Sequence, residues 1–480
     1  MPDSPLSNDL SLSPEQMRDI GYEVIDAIVE QFQSVGEGPA ISKRSRADMH
    51  ELFHEPAPDA PSDASAVLKR VTDEIFGNFA PLDHPRFFAF VPGPINFISV
   101  MAEALAAAHN PFMGSWLVSS GPTQIELTVI DWLRQMCGLP ETAGGLFVSG
   151  GSIANLSAIA AARHVKLAGD MTGSVIYCSQ ETHSSIDRAI KVLGFQPEQL
   201  RHIETDAGFR VDVDELERAI ETDRTAGLRP FLVIANAGTT NTGAIDPLGT
   251  IAELCERQNL WFHVDGAYGA PTMLTDKGKT LLAGIERADS ITLDPHKWLF
   301  QPYEIGCLLL RDRTLLIDTF HIFKDYMQDV IGEAEEVNLR DYGIQLTRNF
   351  RALKLWMSIQ VFGLDAFRAA VDHGLQMAEY AGELLQSPER KDRWEIITPP
   401  DLGIITFRYL PEAMTDEKAI DAFNLKLIDA MYADGYAMVS STTLHNRPVL
   451  RLCPINPRTA EEDIRGTIER FEEMALAECQ

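Results

Sequence analysis

The stretch SITLDPHKWLF (290–300) decides how the rest of the chain is interpreted. It opens with an apolar, strand-like run, and Lys297 follows shortly after, between a histidine and a tryptophan. Burying an ammonium group in such surroundings carries a large desolvation cost. Two interpretations avoid that cost: the lysine lies at a strand end and reaches water, or its amine is consumed in a Schiff base.

The sequence around this stretch alternates between strands and helices from about residue 129 to residue 310. Continuous apolar runs predict strands at 175–180, 232–238, 261–267 and 290–294, and helical periodicity predicts helices at 212–223 and 247–258. This alternation predicts an α/β domain with a mainly parallel sheet. In such sheets, ligands bind beyond the carboxyl ends of the strands.

The run FVSGGSIANLSAIAAAR (147–163) is typical of a strand, a glycine turn and a helix that Ser152 opens. Gly150 and Gly151 allow backbone amides to approach a ligand closely, and a helix N-terminus adds positive partial charge. The run therefore predicts a phosphate site, although an ordinary capped helix would have the same pattern.

Two further polar residues follow predicted strands. Asp265 comes at the end of an apolar run and is either a buried acid with a cationic partner or a residue that turns the chain. His183 follows the strand at 175–180 and is either a helix cap or a flat face for a ligand. Together with the glycine turn and Lys297, these residues form a set that suits pyridoxal 5′-phosphate (PLP), because an acid can hold a proton on the pyridine nitrogen.

A set of motifs carries a resemblance to a known family. In order and spacing, the chain resembles the group II PLP-dependent amino-acid decarboxylases of the aromatic-L-amino-acid decarboxylase type. The motifs are HPRFFAFVPGP (84–94), SGGS (149–152), ETHSS (181–185), GTTNTGAIDP (238–247), HVDGAYGA (263–270) and DPHKW (294–298). The resemblance covers essentially the whole chain and implies the fold-type I, aspartate aminotransferase-like fold.

The resemblance also implies roles for residues of the cofactor site. Lys297 is the expected Schiff-base lysine, and Asp265 is the expected partner of the pyridine nitrogen. His183 is expected to stack on the cofactor ring, with Ala267 on the opposite face. The remaining expected contacts are those of Gly151, Ser152 and His296 with the phosphate, of Thr240 with the ring oxygen and of Asp246 as a support.

The stretch 319–342 is acidic and poorly periodic, and is expected to be a long loop. Its segment KDYMQD (324–329) resembles the mobile catalytic loop of the family, with Tyr326 as the expected proton donor. In the related plant aldehyde synthases this position is phenylalanine, so tyrosine favours simple decarboxylation.

The expected substrate wall is formed by Phe90, Pro92 and Trp116, with Trp116 contributed across a subunit interface. This apolar wall favours an aromatic L-amino acid such as tyrosine, DOPA, tryptophan or phenylalanine. Three alternatives stay open: an acidic-amino-acid decarboxylase acting on aspartate, glutamate or cysteine sulfinate, an aromatic aldehyde synthase, and a PLP-binding protein without turnover. Three positions depart from the family pattern, since Asp294 stands where asparagine is common, Gly93 where a hydroxyl-bearing residue is common and Leu82 where animal enzymes have tryptophan.

Three domains are expected along the chain. They are an N-terminal helical dimerisation segment (1–92), a large PLP-binding α/β domain (93–368) and a small C-terminal α+β domain (369–480). Ser13 is predicted to cap the first helix of the N-terminal segment. The resemblance implies a homodimer with its sites at the subunit interface.

Charge and cysteine content narrow the functional classes. The 480 residues include 41 Lys and Arg against 70 Asp and Glu, a formal net charge of −29. Nucleic acids and anionic membranes repel such a chain. The six cysteines are scattered, without metal-ligand spacing, which favours free thiols in a reducing cytoplasm over a disulfide framework or a metal site. The N-terminus lacks the pattern of a signal peptide.

Overall fold

The computed structural model describes residues 10–322 and 336–478. Within these ranges the α-helices are α1 (Pro14–Ser34), α2 (Arg46–Phe53), α3 (Ala64–Arg70), α4 (Phe97–His109), α5 (Trp116–Met136), α6 (Gly151–Leu167), α7 (Ser185–Val192), α8 (Val213–Thr225), α9 (Leu248–Gln258), α10 (Asp276–Leu281), α11 (Thr314–Phe320), α12 (Ala352–Leu385), α13 (Glu417–Asp434) and α14 (Glu461–Glu478). None of them is both long enough and apolar enough to cross a membrane.

A seven-stranded sheet forms the centre of the molecule. Its strands are β1 (Gly144–Val148), β2 (Ser174–Ser179), β3 (Leu200–Ile203), β4 (Arg229–Asn236), β5 (Trp261–Asp265), β6 (Ser290–Leu293) and β7 (Gly306–Leu310). They lie in the order β1-β7-β6-β5-β4-β2-β3. Strands β3, β2, β4, β5 and β6 are parallel, and only β7 runs against its neighbours β6 and β1. The predicted mainly parallel α/β sheet is confirmed.

The continuous apolar character of the strands follows from burial on both faces. Along β4, Leu232 and Ile234 point into one hydrophobic core, whereas Val233 and Ala235 point into the other. Because strand side chains alternate and helices cover both faces, neither face leaves a polar stripe in the sequence. The helices α8 and α9 begin and end within one or two residues of their predicted bounds.

The direction of the strands positions the functional residues. Strand β7 is antiparallel to both β6 and β1, so β1 runs in the same direction as β6. The carboxyl ends of β1, β2, β4, β5 and β6 therefore meet at one edge of the sheet. The segments that follow these five strands carry the glycine turn, His183, Thr240, the end of the HVDGAYGA motif and Lys297.

The C-terminal part of the chain builds a second sheet from β8 (Trp394–Thr398), β9 (Ile405–Tyr409), β10 (Ser440–Leu444) and β11 (Arg447–Leu452). This sheet has the order β10-β11-β9-β8, is antiparallel throughout, and packs with α13 and α14 around its own core. Helix α12 connects the two sheets and is interrupted at Gly363, whose φ of 73° is not helical. The domain bounds at 92 and 368 stay predictions.

Two predictions outside the sheets have different outcomes. Ser13 caps α1 as predicted, and the structure shows a capping box in which its side chain accepts from the amide of Gln16. The expectation of one long loop over 319–342 is wrong at both ends, because α11 continues to Phe320 and a 3₁₀ turn forms over Leu339–Tyr342. Both segments bury a leucine in the core, Leu316 and Leu339, which the acidic composition of the stretch concealed.

Candidate active site

A cavity of about 570 Å³ opens at the carboxyl edge of the large sheet. Exposed side chains surround its mouth, among them Phe90 and Tyr303, and the floor is buried. The lining consists of Phe90, Val91, Ser149, Gly150, Gly151, Ser152, Ile153, Asn155, His183, Ser185, Asn236, Gly238, Thr239, Thr240, Asp265, Ala267, Tyr268, Asp294, His296, Lys297 and Tyr303.

The N-terminus of α6 forms one side of the cavity. The helix begins at Gly151, one residue before the predicted Ser152, and Gly150 precedes it in an extended conformation. A Cβ on Gly151 would lie 3.0 Å from both Cβ of Ala267 and Oδ2 of Asp294. Glycine is required here because neighbouring groups already occupy the space. The first amides of a helix lack intrahelical acceptors, so this turn can receive an anion.

Asp265 ends β5 and faces the cavity with only 7% of its surface exposed. Its Oδ2 accepts a hydrogen bond of 2.8 Å from Nδ2 of Asn155, and its Oδ1 accepts one of 3.2 Å from the amide of Ala267. These two donors orient the carboxylate in the cavity floor.

His183 follows β2 and lies on the open side of the cavity. The backbone amide of Ser185 donates to Nδ1 of His183 over 3.2 Å, so the neutral ring carries its hydrogen on Nε2. Desolvation lowers the pKa of His183 and outweighs the opposing attraction of Asp265. The imidazole is therefore a neutral, flat surface at neutral pH.

Lys297 lies beyond the end of β6, and its Nζ is 3.1 Å from Oδ2 of Asp294. The neighbouring His296 donates from Nδ1 to the carbonyl of Ile305 over 2.6 Å, and its Nε2 lies 3.5 Å from the same Asp294 oxygen. Burial lowers the pKa of His296. Within the described part of the chain, Oδ1 of Asp294 is buried without a hydrogen-bond partner.

The predicted site residues divide into four groups, the last of which is Asp246 alone. Nine of them line the one cavity, namely Phe90, Gly151, Ser152, His183, Thr240, Asp265, Ala267, His296 and Lys297. Pro92 and Trp116 are not among the lining residues, and the amide of Trp116 is bonded to Asn338. Tyr326 lies outside the described residues.

Asp246 lies beneath the cavity and is almost fully buried. Its carboxylate accepts hydrogen bonds of 2.7 Å from the amides of Val211 and Asn236. Burial raises the pKa of this carboxyl group. The carboxylate thereby fixes the end of β4, from which the Thr240 loop departs.

Arg451, on β11, attaches the second sheet to the cavity wall. Its Nη1 donates to the carbonyl of Phe90 over 2.5 Å, and its Nε donates to the carbonyl of Thr240 over 3.1 Å. Phe90 has a left-handed φ of 50°, which a non-glycine residue adopts only when its surroundings hold it there.

Asn155 and Tyr303 are among the lining residues that the sequence interpretation did not single out. Asn155 lies on α6, where an asparagine among alanines carries no signal of its own, but it bonds to Asp265. Tyr303 lies six residues after Lys297, and its ring packs on that of His296 at a centroid distance of 4.8 Å. Its hydroxyl would lie 3.2 Å from a Cβ on Gly93, so the missing side chain at position 93 leaves room for it.

Comparisons with known proteins agree with this geometry. Residues 47–410 match the family described as the pyridoxal-dependent decarboxylase conserved domain. An aromatic-L-amino-acid decarboxylase from Bacillus atrophaeus is 45% identical, over 98% of each chain. A phenylacetaldehyde synthase from Arabidopsis thaliana is 28% identical over 97% of this chain and 96% of its own.

A similar structure is also known. The crystal structure of Oryza sativa TDC with PLP and tryptamine superposes with a TM-score of 0.93 at 27% identity, covering 98% of this chain and 100% of that chain. The family match spans well over half of the chain, and its fold is the one expected from the sequence. The chain belongs to the pyridoxal-dependent decarboxylases, a family of PLP-dependent enzymes.

Proposed function

We propose that the protein decarboxylates an aromatic L-amino acid to the corresponding amine and CO₂. The observation that carries the proposal is the convergence of Lys297, Asp265 and the N-terminus of α6 on one cavity whose mouth bears aromatic rings. An amine, a buried acid and an anion site are the groups that PLP requires.

The residues present fit this cofactor. Nζ of Lys297 is the amine that would join the aldehyde, and the amides at Gly151 and Ser152, with His296, would hold the phosphate. The carboxylate of Asp265 would hold a proton at the pyridine nitrogen. His183 and Ala267 would contact opposite faces of the ring, and Thr240 its ring oxygen.

When bound, PLP supplies an electron sink for the bond that releases CO₂. The chain's own residues perform the remaining tasks. Asp265, held by Asn155 and the Ala267 amide, keeps the ring nitrogen protonated. The neutral ring of His183, whose Nδ1 is an acceptor without a hydrogen, contributes a flat surface that carries no positive charge. Tyr326, assigned from the KDYMQD segment alone, delivers the proton to Cα of the substrate.

The lining favours an aromatic side chain over a carboxylate. Phe90, Val91 and Tyr303 form an apolar wall, with Phe90 and Tyr303 exposed at the mouth. A second carboxylate on the substrate would need a cationic partner. Among the described lining residues, no arginine is present, and Lys297 is committed to the cofactor.

A panel of L-amino acids offered to the PLP-loaded protein tests the substrate class. We expect equimolar amine and CO₂ from at least one of tyrosine, DOPA, tryptophan and phenylalanine. Turnover of only aspartate, glutamate or cysteine sulfinate would show that the protein is instead a decarboxylase of acidic amino acids. Formation of aldehyde with H₂O₂ would identify the protein as an aldehyde synthase. Binding of the amino acids without any product would identify it as a PLP-binding protein without turnover.

Tyr326→Phe tests the proton donor separately. This substitution should suppress amine formation and, as in the plant aldehyde synthases, open a route in which O₂ and water convert the substrate to aldehyde, CO₂, NH₃ and H₂O₂. An undiminished rate of amine formation in the variant would remove Tyr326 from the mechanism.

The assembly and compartment are part of the same proposal. Helix α1 has no buried residue and exposes Tyr22, Ile25 and Val29 on one side, which suits packing against a second copy in a homodimer. The five cysteines within the described ranges are buried free thiols, as expected in a reducing cytoplasm.

A further inference from the structure

A line of buried polar side chains lies behind Asp265. Nδ2 of Asn155 is 2.8 Å from Oδ2 of Asp265, and Oδ1 of Asn155 is 3.1 Å from Nε2 of His263. Nδ1 of His263 is in turn 2.8 Å from Oγ of Ser290. We name Ser290, His263, Asn155 and Asp265 the relay. It crosses from β6 through β5 to α6.

Chemistry fixes the direction of every hydrogen bond in the relay. A carboxylate only accepts, so Asn155 must present its NH₂ group to Asp265 and its carbonyl to His263. That carbonyl only accepts, so the hydrogen of His263 is on Nε2. Nδ1 is then an acceptor, and the hydroxyl of Ser290 must donate to it. The hydroxyl oxygen accepts from the indole Nε1 of Trp261 over 2.9 Å.

Burial keeps the relay in this state. Ser290 and His263 have no exposed surface, and Asn155 has 1%. Desolvation lowers the pKa of His263 to about 4, so the ring is neutral at neutral pH. Each hydrogen bond from Ser290 to Asp265 is donated in the direction of Asp265, and Nδ2 of Asn155 also donates to Oγ of Ser185 over 3.0 Å. A fully satisfied buried network of this kind holds one arrangement.

We propose that His263 is a positioning residue for the cofactor: in the tautomer that Ser290 selects, it makes Asn155 donate to Asp265 and so holds that carboxylate for the pyridine nitrogen. The proposal rests on the proposed function, in which Asp265 faces that nitrogen. None of the three supporting side chains needs to contact the substrate.

The same donor and acceptor rules predict what happens when the Ser290 hydroxyl is removed and His263 can change its tautomer. Without the Ser290 hydroxyl, His263 can carry its hydrogen on Nδ1 and turn Nε2 into an acceptor. In that tautomer Asn155 cannot satisfy both neighbours, because presenting its NH₂ group to Nε2 directs its carbonyl oxygen at the Asp265 carboxylate, and presenting it to Asp265 leaves its carbonyl oxygen facing Nε2. Two acceptors facing each other weaken the hold on the carboxylate, at a distance of two side chains from the substitution.

Ser290→Ala tests this, with Trp261→Phe as the matched control. Both substitutions remove the hydrogen bond between Trp261 and Ser290, but only Ser290→Ala also removes the proton donated to His263. Apoprotein of each variant is titrated with PLP and with a PLP analogue that has CH in place of the ring nitrogen. The absorption spectrum of the bound cofactor and the thermal unfolding of the apoprotein are recorded alongside.

We expect Ser290→Ala to raise the Kd for PLP about fivefold to tenfold, the equivalent of one buried hydrogen bond. Its Kd for the analogue should stay within about twofold of the unsubstituted protein, because the analogue offers Asp265 no nitrogen. Trp261→Phe should reduce thermal stability and leave the ratio of the two Kd values unchanged. Asn155→Ala, a second variant, should reproduce the effect of Ser290→Ala.

The inference would be overturned if Ser290→Ala raised the Kd for PLP and the Kd for the analogue by the same factor. It would also be overturned if the ratio of these two Kd values were the same in Ser290→Ala and Trp261→Phe. Asp265→Asn separates this failure from that of the proposed function. One outcome is that Asp265→Asn weakens the binding of PLP but not of the analogue, while the relay variants leave both Kd values unchanged. In that case only the role of the relay is wrong. If Asp265→Asn does not discriminate between the ligands, the assignment of Asp265 itself is wrong.

Discussion

Nζ of Lys297 lies 3.1 Å from Oδ2 of Asp294, and the same oxygen is 3.0 Å from the place that a Cβ on Gly151 would occupy. One carboxylate therefore adjoins both the reactive amine and the amide turn that suits a phosphate. The sequence resemblance led us to expect asparagine at this position, so Asp294 adds one negative charge to the expected site. It pairs with the lysine and opposes an incoming anion.

Asp294→Asn should consequently strengthen anion binding. Two unit charges about 5 Å apart repel by about 3 kcal/mol at an effective dielectric constant of about 20. We expect the apoprotein of this variant to bind inorganic phosphate at least about tenfold more tightly. Isothermal titration calorimetry of apoprotein with phosphate measures the change. Unchanged or weaker binding would mean that Asp294 does not oppose the anion.

Acid should destabilise the apoprotein through His263. Burial lowers the pKa of His263 from 6.5 to about 4. Between these two pH values the side chain binds a proton in the unfolded chain but not in the folded chain. The contribution of the neutral His263 side chain to the free energy of unfolding is therefore fully present above pH 6.5 and is lost as pH falls toward 4. The complete loss corresponds to about 3 kcal/mol.

His263→Gln keeps a donor for Asn155 but cannot titrate. Its unfolding free energy in urea should decline less steeply than that of the unsubstituted protein between about pH 7 and about pH 5. The difference between the two slopes isolates His263 from the carboxylates. Parallel slopes would show that His263 does not carry this pH dependence.

Removal of residues 1–36 should abolish the proposed homodimer. The deletion takes away α1 with its exposed Tyr22, Ile25 and Val29. Tyr22→Glu with Ile25→Glu should have the same effect in the full chain, because burying either charge at an interface is costly. Glu30→Gln, elsewhere on the helix, is the control. An active dimer without α1, seen by sedimentation, would be incompatible with this role.

The sequence located the residues that stand at strand ends. Asp265, His183 and Lys297 are far apart in the chain, but parallel strands bring their carboxyl ends to one edge, and a periodic pattern reveals such strands. Gly151 was recognisable for the same reason, as the turn that leaves β1.

The remaining site residues depend on tertiary packing. Asn155 becomes important only because its side of α6 packs on β5, which helix periodicity alone cannot reveal. Tyr303 reaches His296 through an irregular segment without a pattern. Pro92 and Trp116 were placed by resemblance and are not among the described residues that line the cavity, so their contribution stays a prediction.

The covalent link at Lys297 is the central claim, and borohydride reduction tests it most directly. PLP-loaded protein is reduced, digested and analysed by mass spectrometry, with Lys297→Ala treated identically. We predict that the phosphopyridoxyl group is found on Lys297, in the DPHKWLF segment, and is absent from the variant. An unlabelled Lys297, or a label that persists on another lysine in the variant, would contradict the account.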